Sequence, residues 1–255
     1  MISTTDLVSL RSRRALITGA ASGIGRAIAG RFAEAGASLI LLDIDAGGLK
    51  RTAAEVKEFG SDVSTETLDL ARHDQIDDLW HRLALDAPDI LVNNAGLYPL
   101  KDFLEVNEAF LDGVVKVNLE AAFWMSQRFI ASRKRDGGII VNIASIEAIL
   151  PFKDDLVPYS MSKAGIIALT RSLARDYGRK GFRVNVILPG AIRTPGTDNL
   201  VRFAARHLRL DLLKTGYTFQ TRLALGRWGK PDEVARVALF LASDLASYVQ
   251  GAMIP

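Results

Sequence analysis

A tyrosine and a lysine separated by one helical turn are the first residues in the sequence that suggest chemistry. Tyr159 and Lys163 are four positions apart in a segment with helical patterning, so their side chains extend from the same face. A phenol has an ordinary pKa near 10, and a desolvated ammonium one turn away can lower it. The pair can therefore form a tyrosine general base, although a half-buried tyrosine beside a lysine that reaches solvent has the same spacing.

Polar residues also follow two of the apolar runs that are typical of β-strands. Ser145 comes directly after the run 139–144, and Asn93-Asn94-Ala95-Gly96 comes directly after another. Open α/β sheets bind ligands at the carboxyl ends of their strands, so Ser145 is placed to hold a substrate oxygen. Asn118 lies on an otherwise apolar helical stripe, where a polar side chain is uncommon. Taken singly, each asparagine is also explained by a helix cap or a turn.

A glycine-rich turn joins the first predicted strand to the first predicted helix. Gly19, Gly23 and Gly25 follow Thr18 with the spacing G-x-x-x-G-x-G. Glycine allows positive φ angles there and lets a pyrophosphate approach the N–H groups at the positive end of the helix. The turn therefore predicts a dinucleotide site, although a tight strand-to-helix turn also uses glycine for purely structural reasons.

An aspartate ends the second predicted strand at the distance expected for a residue that binds the adenosine ribose. Asp43 lies 18 residues beyond Gly25, and its two oxygens can accept both ribose hydroxyls. The same carboxylate repels a 2′-phosphate, and neither Ser22 nor Ile44 supplies a neutralising cation. The sequence thus favours NAD over NADP, while capping of the following helix is the structural alternative for Asp43.

Apolar runs and amphipathic segments alternate along most of the chain. The runs that predict strands are 15–18, 38–42, 89–92, 138–143 and 183–188. The segments that predict helices are 24–35, 46–58, 73–85, 103–133 and 159–178. Strands that are apolar on both faces are typical of a parallel sheet covered on each side. We therefore expect one α/β domain over residues 1–255, with a doubly wound, Rossmann-like parallel sheet and helices on both faces.

Composition excludes several classes of function. The 255 residues contain 32 Lys and Arg against 29 Asp and Glu, and this net charge of +3 does not indicate a nucleic-acid partner. With no cysteine there is no disulfide, no thiolate metal site and no cysteine nucleophile. The longest uncharged stretches are about 11 residues, too short to span a membrane. We expect a cytoplasmic protein that binds no metal.

A segment at about 195–227 interrupts the alternation and is predicted to form a substrate lid. Apolar residues recur in it at helical spacing, as in an inserted helix over the sheet. Five cations lie between Thr197 and Arg222, against the two anions Asp198 and Asp211. This surplus would suit an anionic substrate or an acyl carrier, but a solvated helix face is the favoured interpretation.

The motifs taken together resemble the short-chain dehydrogenase/reductase family over essentially the whole chain. They are T-G-x-x-x-G-I-G at 18–25, N-N-A-G at 93–96, Asn118, Ser145, Y-x-x-x-K at 159–163, and Pro189-Gly190 with Thr194. One departure is the separation of Ser145 from Tyr159, which at 14 residues is about one longer than in the family. Another is the end of the sequence at Pro255, before the family's usual Val-Asp-Gly-Gly tail.

The resemblance implies roles for particular residues. Asn118, Ser145, Tyr159 and Lys163 would form a catalytic tetrad in which Asn118 positions a water for proton relay. Asp69 would contact adenine, Asn93 the adenosine ribose, and Ile192 with Thr194 the nicotinamide amide. The residues expected to bind the cofactor are Gly19, Ser22, Gly23, Ile24, Gly25, Asp43, Asp69, Leu70, Asn93, Ala95, Gly96, Tyr159, Lys163, Pro189, Gly190, Ile192 and Thr194.

The leading functional hypothesis is an NAD(H)-dependent oxidoreductase that interconverts a secondary alcohol and its ketone. The substrate would be a small molecule of the polyol, sugar or hydroxyacyl type. An NADP-linked 3-oxoacyl-carrier or carbonyl reductase is the first alternative, and a non-catalytic dinucleotide-sensing protein is the second. The family resemblance also implies a homo-oligomer, a tetramer or a dimer, assembled through the helices that carry Asn118 and Tyr159. An apolar stripe from Ala121 to Phe129 is compatible with such an interface or with the protein core.

Overall fold

Parallel strands form a single sheet in the computed structural model, which describes residues 2–196 and 225–255. The strands in these ranges are β1 (Arg14–Thr18), β2 (Ser38–Asp43), β3 (Val63–Thr67), β4 (Ile90–Asn93), β5 (Gly138–Ile143), β6 (Phe182–Ile187) and β7 (Met253–Ile254). Their spatial order is β3-β2-β1-β4-β5-β6-β7. The chain winds outward from β1 to β3 and then returns to place β4 beside β1. This reversal creates the switch point at which such sheets bind ligands, and it confirms the predicted doubly wound topology.

Helices cover both faces of the sheet. Those in the described ranges are α1 (Thr4–Val8), α2 (Gly23–Glu34), α3 (Ala46–Lys57), α4 (His73–Arg82), α5 (Glu108–Val115), α6 (Ala121–Ser132), α7 (Val157–Tyr177) and α8 (Pro231–Ala242). Along β1, Ala15 and Ile17 pack with the core that contains α2, α3 and α8, whereas Leu16 packs with α4 and α6. Side chains alternate between the faces of a strand, so a strand covered on both sides must be apolar throughout.

Two elements at the edges of the sheet were not predicted from the sequence. β3 lies at one edge, and most of its residues are partly or fully exposed. It therefore lacks the continuous apolar run by which the other strands were recognised. β7 at the opposite edge pairs only Met253 and Ile254 with β6, which is too short for a pattern to be read.

The predicted helix 103–133 is divided in the structure. A 3₁₀ turn occupies Phe103–Glu105, and α5 begins after Asn107, whose side chain accepts a hydrogen bond from the Phe110 N–H at 2.9 Å. A π-helical turn, Lys116–Glu120, then joins α5 to α6. A π turn inserts one extra residue into a helix and rotates the side chains within it. Asn118 lies in this turn, so the interruption coincides with a predicted catalytic residue.

The apolar stripe of α6 faces mainly into the protein. Ala121, Ala122, Met125 and Phe129 are buried, and Phe129 packs edge-on against Trp80 and Phe182. The stripe is therefore explained by the core of this chain and gives no support to the predicted oligomer.

Most of the predicted lid lies outside the described residues, which leave out 197–224. Among the helices of the described ranges, none is both long and apolar enough to cross a membrane.

Arg183 in β6 is hydrogen-bonded to the end of α8 and to the residues that follow it. The Arg183 guanidinium donates hydrogen bonds to the carbonyl oxygens of Leu241, Ser243 and Ala246 at 2.8 to 2.9 Å. The last carbonyls of a helix have no partner within the helix, so a partly buried helix end requires donors from elsewhere. Arg183 supplies one hydrogen bond to the last turn of α8 and two to the residues that follow it, and it thereby holds the end of α8 against the sheet.

Replacing this side chain should destabilise the fold. We expect Arg183→Met to lower the free energy of unfolding by about 2–4 kcal/mol, because it leaves partly buried carbonyls without donors. Urea denaturation measures this loss, and Arg183→Lys, which keeps a positive charge and fewer donors, should fall between the methionine variant and the parent chain. A methionine variant as stable as the parent would contradict this role for Arg183.

Candidate active site

The glycine turn between β1 and α2 leaves no room for larger side chains. Gly19 has a φ of +66°, which favours glycine, and a Cβ atom at Gly25 would lie 2.1 Å from the Gly19 carbonyl oxygen. Ser22 precedes α2 without a side-chain capping bond, while Ile24 packs partly buried against the core. The turn therefore presents the amino-terminal end of a twelve-residue helix, which attracts anionic groups, at the switch point of the sheet.

The segment after β4 holds this turn in place. The Asn94 side chain donates to the carbonyl oxygens of Thr18 and Gly19 at 2.9 and 3.1 Å. In return, the Thr18 hydroxyl accepts hydrogen bonds from the backbone N–H groups of Asn94 and Ala95 at 2.9 and 3.0 Å. Sequence reasoning gave Asn94 no role of its own, although its place in the N-N-A-G motif was the available signal.

Asn93 directs its side chain into the protein interior. Its Nδ2 donates to Ser126 at 3.1 Å and to Asn142 at 2.9 Å, and the residue is only 6% exposed. Asn93 also lines a small cleft with Leu70 and Ala95, two other residues predicted to bind the cofactor. The side-chain amide thus joins β4 to β5 and α6. The sequence predicted a ribose contact for Asn93 and did not predict this structural role.

Asp43 organises the turn beside the glycines. One carboxylate oxygen accepts the Ala21 N–H and the other accepts the Asp45 N–H, both at 3.0 Å. α3 begins after Asp45, so Asp43 does not act as its N-cap, the alternative that the sequence left open. Each carboxylate oxygen retains a second lone pair. Asp69, at the end of β3, similarly accepts the Ala71 N–H at 2.9 Å.

The π turn brings Asn118 against the segment after Gly96. Its Oδ1 accepts the Leu97 N–H at 2.7 Å, and its Nδ2 donates to the Leu97 carbonyl at 2.9 Å and to Ser162 at 3.2 Å. Asn118 is 1% exposed, so these bonds satisfy an amide that would otherwise be costly to bury. The side chain clamps the segment after β4 to α7.

Ser145, Tyr159 and Lys163 come together where β5 meets α7. The Ser145 hydroxyl lies close enough to the Tyr159 hydroxyl to lower the pKa of that phenol. The Lys163 Nζ donates to the Ile143 carbonyl at 2.9 Å and lies 5.9 Å from the centre of the Tyr159 ring. The structure therefore gathers the predicted tetrad at the carboxyl edge of the sheet, with Lys163 buried beneath it.

Burial controls the ionisation of the pair in a way that the sequence did not predict. Burial is the largest influence on the pKa of Tyr159 and raises it. The Ser145 hydroxyl lowers this pKa, whereas the charge of the Glu147 carboxylate raises it further. Burial also lowers the pKa of Lys163 to about 8. Desolvation disfavours the charged form of both groups in this structure, and the lowering of the Tyr159 pKa by Lys163 stays a prediction.

Tyr98 and Glu147 also adjoin the tetrad, and sequence reasoning missed both. The Tyr98 ring meets the Tyr159 ring edge-on, with 4.8 Å between centroids. Glu147 follows Ser145 by two residues and is buried. In the loop between Ser145 and Tyr159, Asp155 adopts a positive φ of 65° and its carbonyl accepts the Lys101 N–H at 3.0 Å.

The loop after β6 completes the same edge. The Pro189 carbonyl accepts the Ile146 N–H at 3.1 Å, which joins this loop to the Ser145 segment. Ile192 forms a parallel bridge with Gly229, and a Cβ atom at Gly23 would lie 3.5 Å from the Thr194 methyl. Thr194 is thus brought to the glycine turn, and Gly190, earlier in the same loop, has open space at its Cβ position.

These residues fit a nicotinamide dinucleotide. A Cβ atom at Gly96 would lie 3.2 Å from the Lys163 Nζ and 3.3 Å from the Asn118 Oδ1, so the absence of a side chain keeps the space beside both groups open. The glycine turn suits the pyrophosphate and Asp43 suits a ribose. Within the described ranges, no cluster of three or more His, Asp or Glu residues could hold a metal ion. Fold and site together define a dinucleotide-dependent oxidoreductase.

Comparisons with known proteins agree with this class. A family model described as enoyl-(acyl carrier protein) reductase matches residues 19–255. The chain is 36% identical over 248 residues to a 3-oxoacyl-acyl-carrier-protein reductase of Thermotoga maritima, covering 96% of each protein.

Solved structures give the same result. One is a provisionally assigned NAD(P)-dependent gluconate 5-dehydrogenase from Beutenbergia cavernae with bound NADP at low occupancy, similar with a TM-score of 0.88 and 35% identity over 97% of this chain and 96% of that one. Another is a 3-ketoacyl-acyl-carrier-protein reductase of Brucella melitensis complexed with NADH, with a TM-score of 0.82 and 30% identity over 96% and 97%. The chain belongs to the short-chain dehydrogenase/reductase family.

The buried lysine should leave a signature in the pH dependence of stability. The pKa of Lys163 is about 8 in the folded protein against an ordinary value of 10.5, so between these values the unfolded chain binds more protons. Stability contributed by this residue should therefore rise with pH from 8 to 10, by at most about 1.36 kcal/mol per pH unit.

This rise can be isolated by comparing the parent chain with Lys163→Met in denaturant titrations at several pH values. The difference in unfolding free energy should shift in favour of the parent chain between pH 8 and pH 10. Lys134→Met removes an exposed lysine and is the control. If the parent chain and Lys163→Met change in parallel over this range, the lysine is not desolvated as described.

Proposed function

We propose that the protein is an NAD(H)-dependent oxidoreductase that interconverts a secondary alcohol and its ketone. The single observation that carries this proposal is the neighbouring pair of hydroxyls of Ser145 and Tyr159 above the buried Lys163. A hydroxyl pair of this kind can hold one substrate oxygen and exchange a proton with it. We further propose a small-molecule substrate of the polyol, sugar or hydroxyacyl type and a homo-oligomeric enzyme of the cytoplasm.

The proposed chemistry divides the two hydrogens of an alcohol between the dinucleotide and the protein. The dinucleotide, when bound, accepts a hydride from the carbinol carbon in oxidation and returns it to the carbonyl carbon in reduction. Tyr159 takes the hydroxyl proton as the C–O single bond becomes a double bond, and it donates that proton in the reverse direction. Ser145 donates a hydrogen bond to the reacting oxygen and keeps it beside the Tyr159 hydroxyl.

Lys163 and Asn118 support this proton transfer. A lysine with a pKa of about 8 changes charge near neutral pH, so it can stabilise the Tyr159 phenolate when protonated. Asn118 holds the Leu97 segment against α7 through bonds at both of its side-chain polar atoms. A water held at this clamp would carry the proton onward, which is the role that the family resemblance gives to Asn118.

The raised pKa of Tyr159 keeps the free site in the form that can donate a proton. Burial keeps the phenol protonated, and a protonated phenol is the form that donates to a ketone oxygen. Oxidation requires the phenolate and therefore depends on positive charge brought close to the ring. We expect oxidation to need a higher pH than reduction for this reason.

Asp43 supports the choice of NAD over NADP. Its carboxylate stands at the end of β2 and beside the glycine turn, and the adjacent Ile44 is an exposed apolar residue. A 2′-phosphate placed there would meet a like charge. The alternative of an NADP-linked 3-oxoacyl or carbonyl reductase is favoured by the resemblance to 3-oxoacyl reductases and to a structure with bound NADP. The remaining alternative is a sensor that only binds the dinucleotide. Such a protein would not require Tyr159 and Lys163 together.

Removing the phenolic hydroxyl tests the reaction. We expect Tyr159→Phe to lower kcat for alcohol oxidation with NAD by about 10²–10⁴-fold, because no other group takes the proton. NADH affinity, measured by fluorescence, should stay within about threefold of the parent chain, since the ring remains. Tyr177→Phe, at the far end of α7, is the matched control. A Tyr159→Phe enzyme that oxidises a panel of secondary alcohols as fast as the parent chain would refute the mechanism.

Coenzyme preference tests Asp43. Asp43→Ser should shift the ratio of NADPH to NADH affinities about tenfold toward NADPH, because the charge that opposes the 2′-phosphate is lost. Fluorescence titration of both reduced coenzymes gives the ratio. Asp62→Asn removes an equal charge from an exposed position before β3 and should leave the ratio unchanged. A parent chain that already prefers NADPH would overturn the proposed use of Asp43.

A further inference from the structure

A buried carboxylate beside the tetrad has one oxygen with nothing to bind. Glu147 is 1% exposed. Its Oε2 accepts the Phe152 N–H at 3.3 Å, whereas its Oε1 is buried with no hydrogen-bond partner within the described residues. Buried carboxyl groups are nearly always hydrogen-bonded, because the loss of water is otherwise uncompensated. The free oxygen therefore marks a place where a donor from outside the chain would be stabilising.

Glu147 directly adjoins the residues of the predicted tetrad. Glu147 lies in the 3₁₀ turn that Ser145 caps, and its N–H donates to the Ser145 Oγ at 3.2 Å. Burial raises the pKa of Tyr98 and of Tyr159, and the charge of the Glu147 carboxylate raises both further. The two tyrosine rings are themselves in contact at 4.8 Å. Glu147 thus borders the space in which a substrate oxygen would meet Ser145 and Tyr159.

No neighbouring group fully neutralises this carboxyl. Burial is the largest influence on Glu147 and raises its pKa, while the Phe152 N–H and the charge of Lys153 act in the opposite direction. A carboxyl in such surroundings accepts a hydrogen bond from a hydroxyl group in either of its protonation states.

We propose that Glu147 is a substrate-binding residue that accepts a hydrogen bond from a second hydroxyl on the carbon next to the reacting carbinol. The preferred substrate is then a vicinal diol or polyol, or the hydroxyketone formed from it. This inference rests on the proposed function, because it assumes that the reacting oxygen binds at Ser145 and Tyr159. It narrows that function from secondary alcohols in general to those with an adjacent hydroxyl.

The same contact separates the substrate classes that the sequence left open. A 3-oxoacyl thioester brings no hydroxyl or N–H donor next to its reacting carbonyl, so it would enclose the Glu147 oxygen without a partner. A site built to bind a substrate hydroxyl strongly rejects an analogue that lacks it, because the buried polar group then stays unpaired. Glu147 therefore favours hydroxylated substrates over acyl chains.

A pair of matched alcohols tests this proposal. The parent chain should oxidise 2,3-butanediol with a kcat/KM at least about tenfold above that for 2-butanol. Glu147→Leu should lower the ratio of the diol kcat/KM to the mono-alcohol kcat/KM by at least about tenfold, because any effect of the variant on Tyr159 acts on both alcohols and only the diol uses the carboxyl. Glu147→Gln keeps a side-chain carbonyl acceptor and should retain most of the preference. Asp154→Asn removes an exposed carboxylate from the same loop region and is the matched control.

The outcomes distinguish this proposal from the proposed function. NADH titration and thermal unfolding establish that each variant is folded, and Glu147→Ala replaces the leucine variant if the latter does not fold. A diol preference that is the same in the parent chain and in Glu147→Leu overturns the role of Glu147 while leaving the oxidoreductase intact. Faster turnover of acetoacetyl thioesters than of the hydroxyketone acetoin also overturns the role of Glu147 and leaves the oxidoreductase intact. A parent chain that binds NADH but converts none of these compounds contradicts the proposed function, and this inference with it.

Discussion

The burial of the Lys163 amine against the Ile143 carbonyl is the interaction on which the site depends. This 2.9 Å hydrogen bond joins α7 to the end of β5, the strand that leads to Ser145. It holds Tyr159, one helical turn away, next to the Ser145 hydroxyl. Since an ammonium is costly to bury, the burial that accompanies this contact lowers the pKa of Lys163 to about 8. The position of Lys163 and its lowered pKa thus both follow from the burial of its amine.

A parallel sheet imposes the second constraint, because the carboxyl ends of all its strands lie at one edge. Three parts of the site lie at this edge although they come from different strands. They are the glycine turn after β1, Asp43 at the end of β2 and the Ser145 segment after β5. Side-chain amides inside the sheet keep the strands and α7 in position, as Asn142 accepts from Asn93 at 2.9 Å and donates to Thr170 at 2.8 Å. Such buried hydrogen bonds restrict how the strands and α7 can pack, even though the Asn93 Oδ1 has no partner within the described residues.

Prediction from the sequence succeeded where a pattern has a local physical cause. Strands apolar on both faces, such as β1 and β5, were recognised because two helical layers cover them. β3 was missed, since an edge strand carries little buried surface and so little pattern. The segment 103–133 is mostly helical, as predicted, but it is not one continuous helix. The π turn around Asn118 makes contacts with Leu97 and Ser162, which are distant in sequence and so leave no local pattern.

By itself, the sequence determined the order of the elements, the glycine turn and the shared face of Tyr159 and Lys163. Each of these follows from backbone geometry over a few residues. Tertiary structure alone decided how those groups ionise and which others join them. Desolvation depends on every element packed around a group, so neither the raised pKa of Tyr159 nor the unpaired oxygen of Glu147 can be read from local spacing.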